Sequence, residues 1–148
     1  MIYFEDMPVG ESETSKATYK LEEDEIIEYC KKWDPLPMHI DRAAAAKTEV
    51  GKLFTSALHT LAIAIKLSYT MRDEPTAVVI GLGWDEVKFH SPACVGDSLR
   101  LRGEIIEKRE SKSRPDCGII RSSLQVFNQR DQLVTSFKTA ALIRRRPS

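Results

Sequence analysis

No run in this chain is long and apolar enough to make a membrane helix. The longest apolar stretch, Leu61 to Ile65, falls far short of the roughly 20 residues a spanning helix needs. The start, Met1-Ile2-Tyr3-Phe4-Glu5-Asp6, is acidic and lacks the apolar core of a secretory leader. Cysteine is scarce: Cys30, Cys94 and Cys117 are scattered, odd in number and without a Cys-x-x-Cys pair. That excludes a disulfide framework and a thiolate zinc site, and reads as reduced thiols in a cytoplasmic protein. An excess of either charge is also missing, since Lys plus Arg and Asp plus Glu are both 22 and the formal net charge is zero. A nonspecific nucleic-acid binder would carry a basic surplus, so neither nucleic acid nor membrane is an expected partner. Internal repeats and low-complexity tracts are absent, and Arg144-Arg145-Arg146-Pro147-Ser148 reads as a solvated end.

What is present fits one domain over residues 1–148, because compact domains commonly run to about 100–150 residues. A chain of this size buries roughly 70% of its unfolded surface and needs no staple. Thr14 to Leu21 alternates loosely and predicts an edge strand. Glu22-Glu23-Asp24-Glu25 supplies an acidic first turn for a helix reaching about Lys32, which must stop before Pro35. An irregular stretch to Gly51 is expected, interrupted by a short alanine helix over Arg42 to Ala46. The strongest helix runs from about Ser56 to Thr70. Ala57, Leu58, Leu61, Ala62, Ile63, Ala64 and Ile65 surround it with apolar groups, so it belongs inside something.

After Pro75 the pattern becomes β. Val78 to Phe89, a strand around Leu99 to Ile105, another around Ile120 to Val126, and Leu133 to Ile143 carry β-branched, aromatic or alternating residues. The links Pro92 to Gly96, Ser111 to Asp116 and Asn128 to Asp131 are short. Strands joined so briefly are expected to be antiparallel neighbours, since a parallel crossover needs a dozen or more residues. The predicted class is α+β: an antiparallel sheet of about five strands packed on one long, nearly all-apolar helix.

The chemistry concentrates in Trp33-Asp34-Pro35-Leu36-Pro37-Met38-His39-Ile40-Asp41. Asp34 and His39 lie five residues apart in a loop stiffened by Pro35 and Pro37, a spacing from which a carboxylate and an imidazole can hold and deprotonate one water. Each residue also has a plainer role. Asp34 could end the first helix, His39 could be a satisfied structural histidine, and Asp41 could orient His39 or cap the helix at Arg42. His39 with Asp41 lacks a third ligand, so no metal site is predicted. Ser56 and His59 are three apart, but no Gly-x-Ser-x-Gly surrounds them. Ser56 is read as a helix cap or a substrate-orienting hydroxyl, His59 as core or dimer packing, and His90 as structural. Lys47, Lys52, Arg100 and Arg102 could meet the phosphates of a ligand, but each reads as an ordinary solvated charge and none is claimed as a ligand.

A helix held in a curled antiparallel sheet is similar to the hotdog fold, and three blocks sharpen the likeness. Asp34-Pro35-Leu36-Pro37-Met38-His39-Ile40-Asp41 resembles the Asp-x-Asn-Pro-x-His-x-Asp signature of MaoC-like dehydratases, also called (R)-specific enoyl-CoA hydratases. Phe54-Thr55-Ser56-Ala57-Leu58-His59-Thr60 resembles that family's Ala-Ser-Gly-Trp-His-Thr helix start. Ser91-Pro92-Ala93-Cys94-Val95-Gly96-Asp97-Ser98-Leu99 looks like its Pro-Val-x-x-Gly-Asp-x-Leu turn. Two positions depart: Leu36 replaces the Asn of the signature, and Ala57 replaces the helix-start Gly. An apolar side chain beside the dyad predicts desolvation of its carboxylate.

The resemblance implies catalytic Asp34 and His39, which hold a water that adds to the double bond of a 2-enoyl thioester or leaves a 3-hydroxyacyl thioester. It implies an oxyanion donor at the Ala57 N–H with Ser56 beside it, and Asp41 and His59 in support. It implies acyl-CoA or an acyl-carrier-protein thioester as substrate, no cofactor, and a homodimer whose interface lies near the site. A thioesterase on the same fold, or a non-catalytic acyl-thioester-binding subunit, are the alternatives.

Overall fold

The computed structural model describes residues 1–148. A single 3-10 turn over Phe4–Asp6 opens the chain, and two short strands follow, β1 (Ser12–Thr14) and β2 (Tyr19–Lys20). The single edge strand expected over Thr14 to Leu21 is therefore broken. Ser15 makes the break: its hydroxyl accepts from the Leu101 N–H at 3.0 Å and donates to the Ala17 carbonyl at 2.9 Å, standing in for a backbone rung. Helix α1 (Glu23–Trp33) follows, acidic in its first turn and basic at Lys31 and Lys32 in its last, as the helix dipole favours. It buries Ile26 and Cys30, one turn apart on one face. The Asp34 N–H closes it on the Cys30 carbonyl at 2.8 Å, just before Pro35.

The stretch from Pro35 to Gly51 is more regular than expected. A single helical turn, α2 (Pro37–Ile40), opens on Pro37, which has no N–H to lose at that position. Helix α3 (Arg42–Ala46) occupies the expected residues, with the Asp41 carboxylate accepting from the Ala43 N–H at 2.9 Å. The central helix α4 (Ala57–Ser68) is capped by Ser56. Long strands β3 (Val78–Phe89), β4 (Ser98–Glu110), β5 (Cys117–Phe127) and β6 (Leu133–Arg144) complete the chain.

All strand pairings are antiparallel, in the order β1-β4-β5-β6-β3, with β2 also on β4, so the sheet has six strands rather than about five. The expectation that β3 and β4 are neighbours fails: β3 pairs with β6 at the far edge. The link between them makes no hairpin because its backbone bonds elsewhere. Thr55 N–H donates to the Ala93 carbonyl and Val95 N–H to the Leu53 carbonyl, each at 2.9 Å, stitching the link to the segment entering α4. Gly96, at φ 85°, lets the chain reverse there while its N–H reaches the Leu21 carbonyl.

The curled sheet packs Leu99, Leu101, Leu124, Val126 and Phe137 against Leu61, Ile63, Ala64 and Leu67 of α4. The enclosure is one-sided. Leu58 is 52% exposed and Tyr69 80%, and Ala62 is open between them, so α4 is not surrounded within one chain. A second, smaller cluster of Phe4, Met7, Ile105, Ile120 and Ile143 lies apart from this core. No helix is long and apolar enough to cross a membrane.

Candidate active site

Helix ends and the turn between them assemble the site. Asp34 is the residue that terminates α1, and His39 sits in the one-turn α2. His39 is buried, and its Nδ1 lies 2.8 Å from the Phe54 carbonyl. A carbonyl only accepts, so Nδ1 carries the hydrogen, and in the Nδ1–H tautomer Nε2 is the lone-pair nitrogen. The Phe54 ring meets the imidazole edge-on, centroids 4.9 Å apart, and fixes its plane. Nε2 points at Asp34 Oδ2 across 3.7 Å, too far for a hydrogen bond. Two acceptors facing each other over that gap match the two hydrogens of one bridging water.

Ser56 joins this pair to the central helix. Its hydroxyl donates to Asp34 Oδ2 at 2.6 Å and accepts from the Leu58 N–H at 3.3 Å. Of the two roles open to it, capping is the one its hydrogen bonds describe, and at 1% exposure its hydroxyl serves the carboxylate. The His59 and Thr60 N–H groups both go to the Ser56 carbonyl. The Ala57 N–H, at the first helical position, has no acceptor and lies at the positive end of α4.

A cavity of about 390 Å³ brings Asp34, His39 and Ala57 together, while Ser56 lies behind its lining. Asp34, His39, Thr55, Ala57 and Thr60 line it, and so do Phe89, His90, Ser91, Pro92, Val134 and Thr135 from the ends of β3 and β6 and the link after β3. Sequence reasoning missed this second wall. His90, read as structural, does bond Ser136 Oγ through Nε2 at 2.8 Å but also faces the cavity. Nothing in the pattern of β3 or β6 signals it, because the wall forms only when β6 pairs with β3.

Other candidates lie apart. Asp41 caps α3 and is exposed, and the group that orients His39 is the Phe54 carbonyl. Leu36 is 47% exposed and does not line the cavity, so the desolvation expected beside the dyad does not come from its side chain. His59 is buried outside the cavity lining. Arg100 pairs with Asp131 and Arg102 with Ser12, and neither they, Lys47 nor Lys52 line the cavity. Cys94 is buried, and burial pushes its thiol above the usual range, which suits packing better than nucleophilic chemistry.

An antiparallel sheet curled on a central helix is the hotdog architecture. A family model described as the MaoC like domain matches residues 5–126, and the chain belongs to that family. A solved MaoC-like dehydratase from Rhodospirillum rubrum is 31% identical, with all of both chains covered and a TM-score of 0.91. The uncharacterized protein YdeM of Bacillus subtilis is 26% identical over 126 residues, 85% of this chain and 88% of its own. The R-hydratase PhaJ1 from Pseudomonas aeruginosa shares the fold at 23% identity, covering 98% of this chain and 87% of that one, with a TM-score of 0.78.

Proposed function

We propose that this protein is a hydratase or dehydratase of acyl-CoA thioesters, adding water to a 2-enoyl group or removing it from a 3-hydroxyacyl group. The observation that carries the reading is the 3.7 Å gap between His39 Nε2 and Asp34 Oδ2, two acceptors beside the free Ala57 N–H. A water donating to both keeps its oxygen lone pairs free to attack the β-carbon. As the C–O bond forms, the dyad takes a proton from the water and the π electrons move toward the thioester oxygen. The Ala57 N–H and the dipole of α4 receive that charge. Return of a proton from the dyad to the α-carbon completes the addition, and the reverse sequence dehydrates. The relative named as a dehydratase supports the reading, and so does the hotdog neighbour named as a hydratase.

The same reading includes a second copy of the chain. Strand β3 is a sheet edge with one side unpaired, and Val78, Ile80, Leu82, Trp84, Val87 and Phe89 on it are all exposed. Such an edge invites pairing, and Leu58 of α4 and Tyr69 just beyond its end add apolar surface that the chain's own sheet leaves uncovered. Light scattering is expected to give a dimer, and Ile80→Lys with Trp84→Glu a monomer. A monomeric wild type refutes this part.

Crotonyl-CoA tests the activity, with enoyl absorbance, free thiol and product mass followed together. Loss of the enoyl signal with one added water and no thiol is the expected result. Thiol release would establish a thioesterase instead, and binding without turnover a carrier or scaffold. Asp34→Asn and His39→Gln are each expected to lower turnover at least ~100-fold, and near-normal rates in either overturn the assignment.

A further inference from the structure

Three consecutive residues lead into α4, and each is held by a different side chain. The Phe54 carbonyl accepts from His39, and the Ser56 hydroxyl donates to Asp34. Between them, the Thr55 hydroxyl lies 2.6 Å from His59 Nδ1. The outer two contacts belong to the dyad. The middle one leads to a buried histidine that the reaction does not touch.

His59 is 3% exposed and stacks on Tyr29 of α1, ring centroids 4.2 Å apart and 14° from parallel. Its Nε2 lies 3.3 Å from Glu25 Oε1, and that same oxygen accepts from the Tyr19 hydroxyl. The direction of each bond follows from what the atoms are able to do. A carboxylate only accepts, so Nε2 carries the hydrogen; Nδ1 of the neutral ring is then a lone pair, and Thr55 must donate. Cys30 Sγ lies 3.5 Å from the Thr55 oxygen and serves as its donor. The chain therefore runs one way, from Cys30 through Thr55 and His59 to Glu25. Burial pushes His59 below the usual imidazole range against the opposing pull of Glu25, which keeps the ring neutral. His39 is held in the opposite tautomer.

We propose that His59 is a positioning residue: anchored on Glu25 with its hydrogen on Nε2, it fixes Thr55 and thereby places the Ser56 hydroxyl and the Ala57 N–H against the dyad. Glu25, Tyr29 and Cys30 all stand on α1, which ends at Asp34, so the contacts of one buried histidine tie together the two halves of the site. Without an acceptor at Nδ1 the buried Thr55 hydroxyl keeps only the weak Cys30 Sγ contact, and the helix entrance loses the bond that ties it to His59. A displacement of about 1 Å at such a position is worth roughly 100-fold in rate. The proposal rests on the hydratase reading for its effect on rate, but its geometry does not.

His59→Leu and His59→Asn in the full chain test it. His59→Leu is expected to lower kcat about 10–100-fold on crotonyl-CoA with KM changed less than about three-fold. His59→Asn, whose Oδ1 reaches Thr55 as Nδ1 does, is expected to recover about ten-fold of that loss. Nitrogen NMR of wild-type His59 should show the neutral Nε2–H form, and the Ala57 amide should shift in His59→Leu and return toward its wild-type position in His59→Asn. Wild-type kcat in folded His59→Leu overturns the proposal, as does His59→Asn no better than His59→Leu, or an Nδ1–H ring. If His59→Leu fails to fold, the ring tautomer and the Ala57 amide in His59→Asn decide. If the wild type hydrates no enoyl thioester, the hydratase reading fails alone, and the ring nitrogens and the Ala57 amide still settle the positioning.

Discussion

Ala57→Pro deletes the candidate oxyanion donor and very little else. Ala57 is the first residue of α4, where its N–H has no acceptor, so proline removes no helical hydrogen bond. Proline also restricts the residue before it to extended backbone, and Ser56 already has φ −59° and ψ 145°. Folding is thus expected to change by less than about 1 kcal/mol, with a gain of about 0.4–1 kcal/mol from the stiffer unfolded chain offsetting local crowding. Catalysis should respond very differently. Loss of one preorganised donor to a developing oxyanion costs about 10²–10³ in kcat, or about 2.7–4 kcal/mol of transition-state stabilisation. Urea unfolding and initial rates on crotonyl-CoA, measured on one preparation, separate the two effects. Ala57→Gly keeps the N–H and is expected to stay within about three-fold of wild type in kcat, well short of that donor loss. A stable Ala57→Pro protein that retains wild-type kcat would refute the assignment of the thioester oxygen to this helix end.

Ser56→Ala removes a helix cap and a hydrogen bond to a carboxylate together, and should cost about 1–3 kcal/mol in urea unfolding; a loss below about 0.5 kcal/mol would contradict the geometry. Gly118→Ala places a Cβ 2.2 Å from Cε2 of the Phe4 ring, so the ring must move, and about 1–3 kcal/mol of destabilisation is expected from the same measurement. An unchanged unfolding midpoint there would mean that Phe4 does not pack on β5. Burial and then the Glu25 carboxylate push the Tyr19 hydroxyl up to about 12 from 10.0. The unfolded chain loses that proton first as pH rises, so this contribution is whole below pH 10 and fades toward pH 12. Thermal melts across that window should fall more steeply for wild type than for Tyr19→Phe, and parallel curves would remove Tyr19 from the account.

Much of this protein was legible residue by residue. The acidic run at Glu22 to Glu25 announced α1, and Pro35 its end. Arg42 to Ala46 formed the expected alanine helix, and the apolar run from Ala57 formed the central one. Those signals are local, since caps, dipoles and proline sterics act within a turn or two. Ser15 shows where local reading stops. Alternation predicted one strand through it, but its hydroxyl took over a rung of the ladder with Leu101, 86 residues away. The link after β3 failed for the same reason: its length suggested a hairpin, while its backbone bonds lay with residues 53 and 55.

The sequence by itself determined the order of the main helices and the four long strands, the buried character of most of α4, and the presence of an acid and a base in one Pro-stiffened segment. Each depends on neighbours along the chain. The tertiary structure decided which atoms of those groups are available. Only contact with the Phe54 carbonyl sets the tautomer of His39, and only contact with Asp34 commits the Ser56 hydroxyl. Asp41 turned away to cap α3, and His90 came to line the same cavity as Asp34 and His39. Hydrogen-bond partners lie across space rather than along the chain, so the spacing that named the dyad left its geometry to the packing of α4 against the sheet.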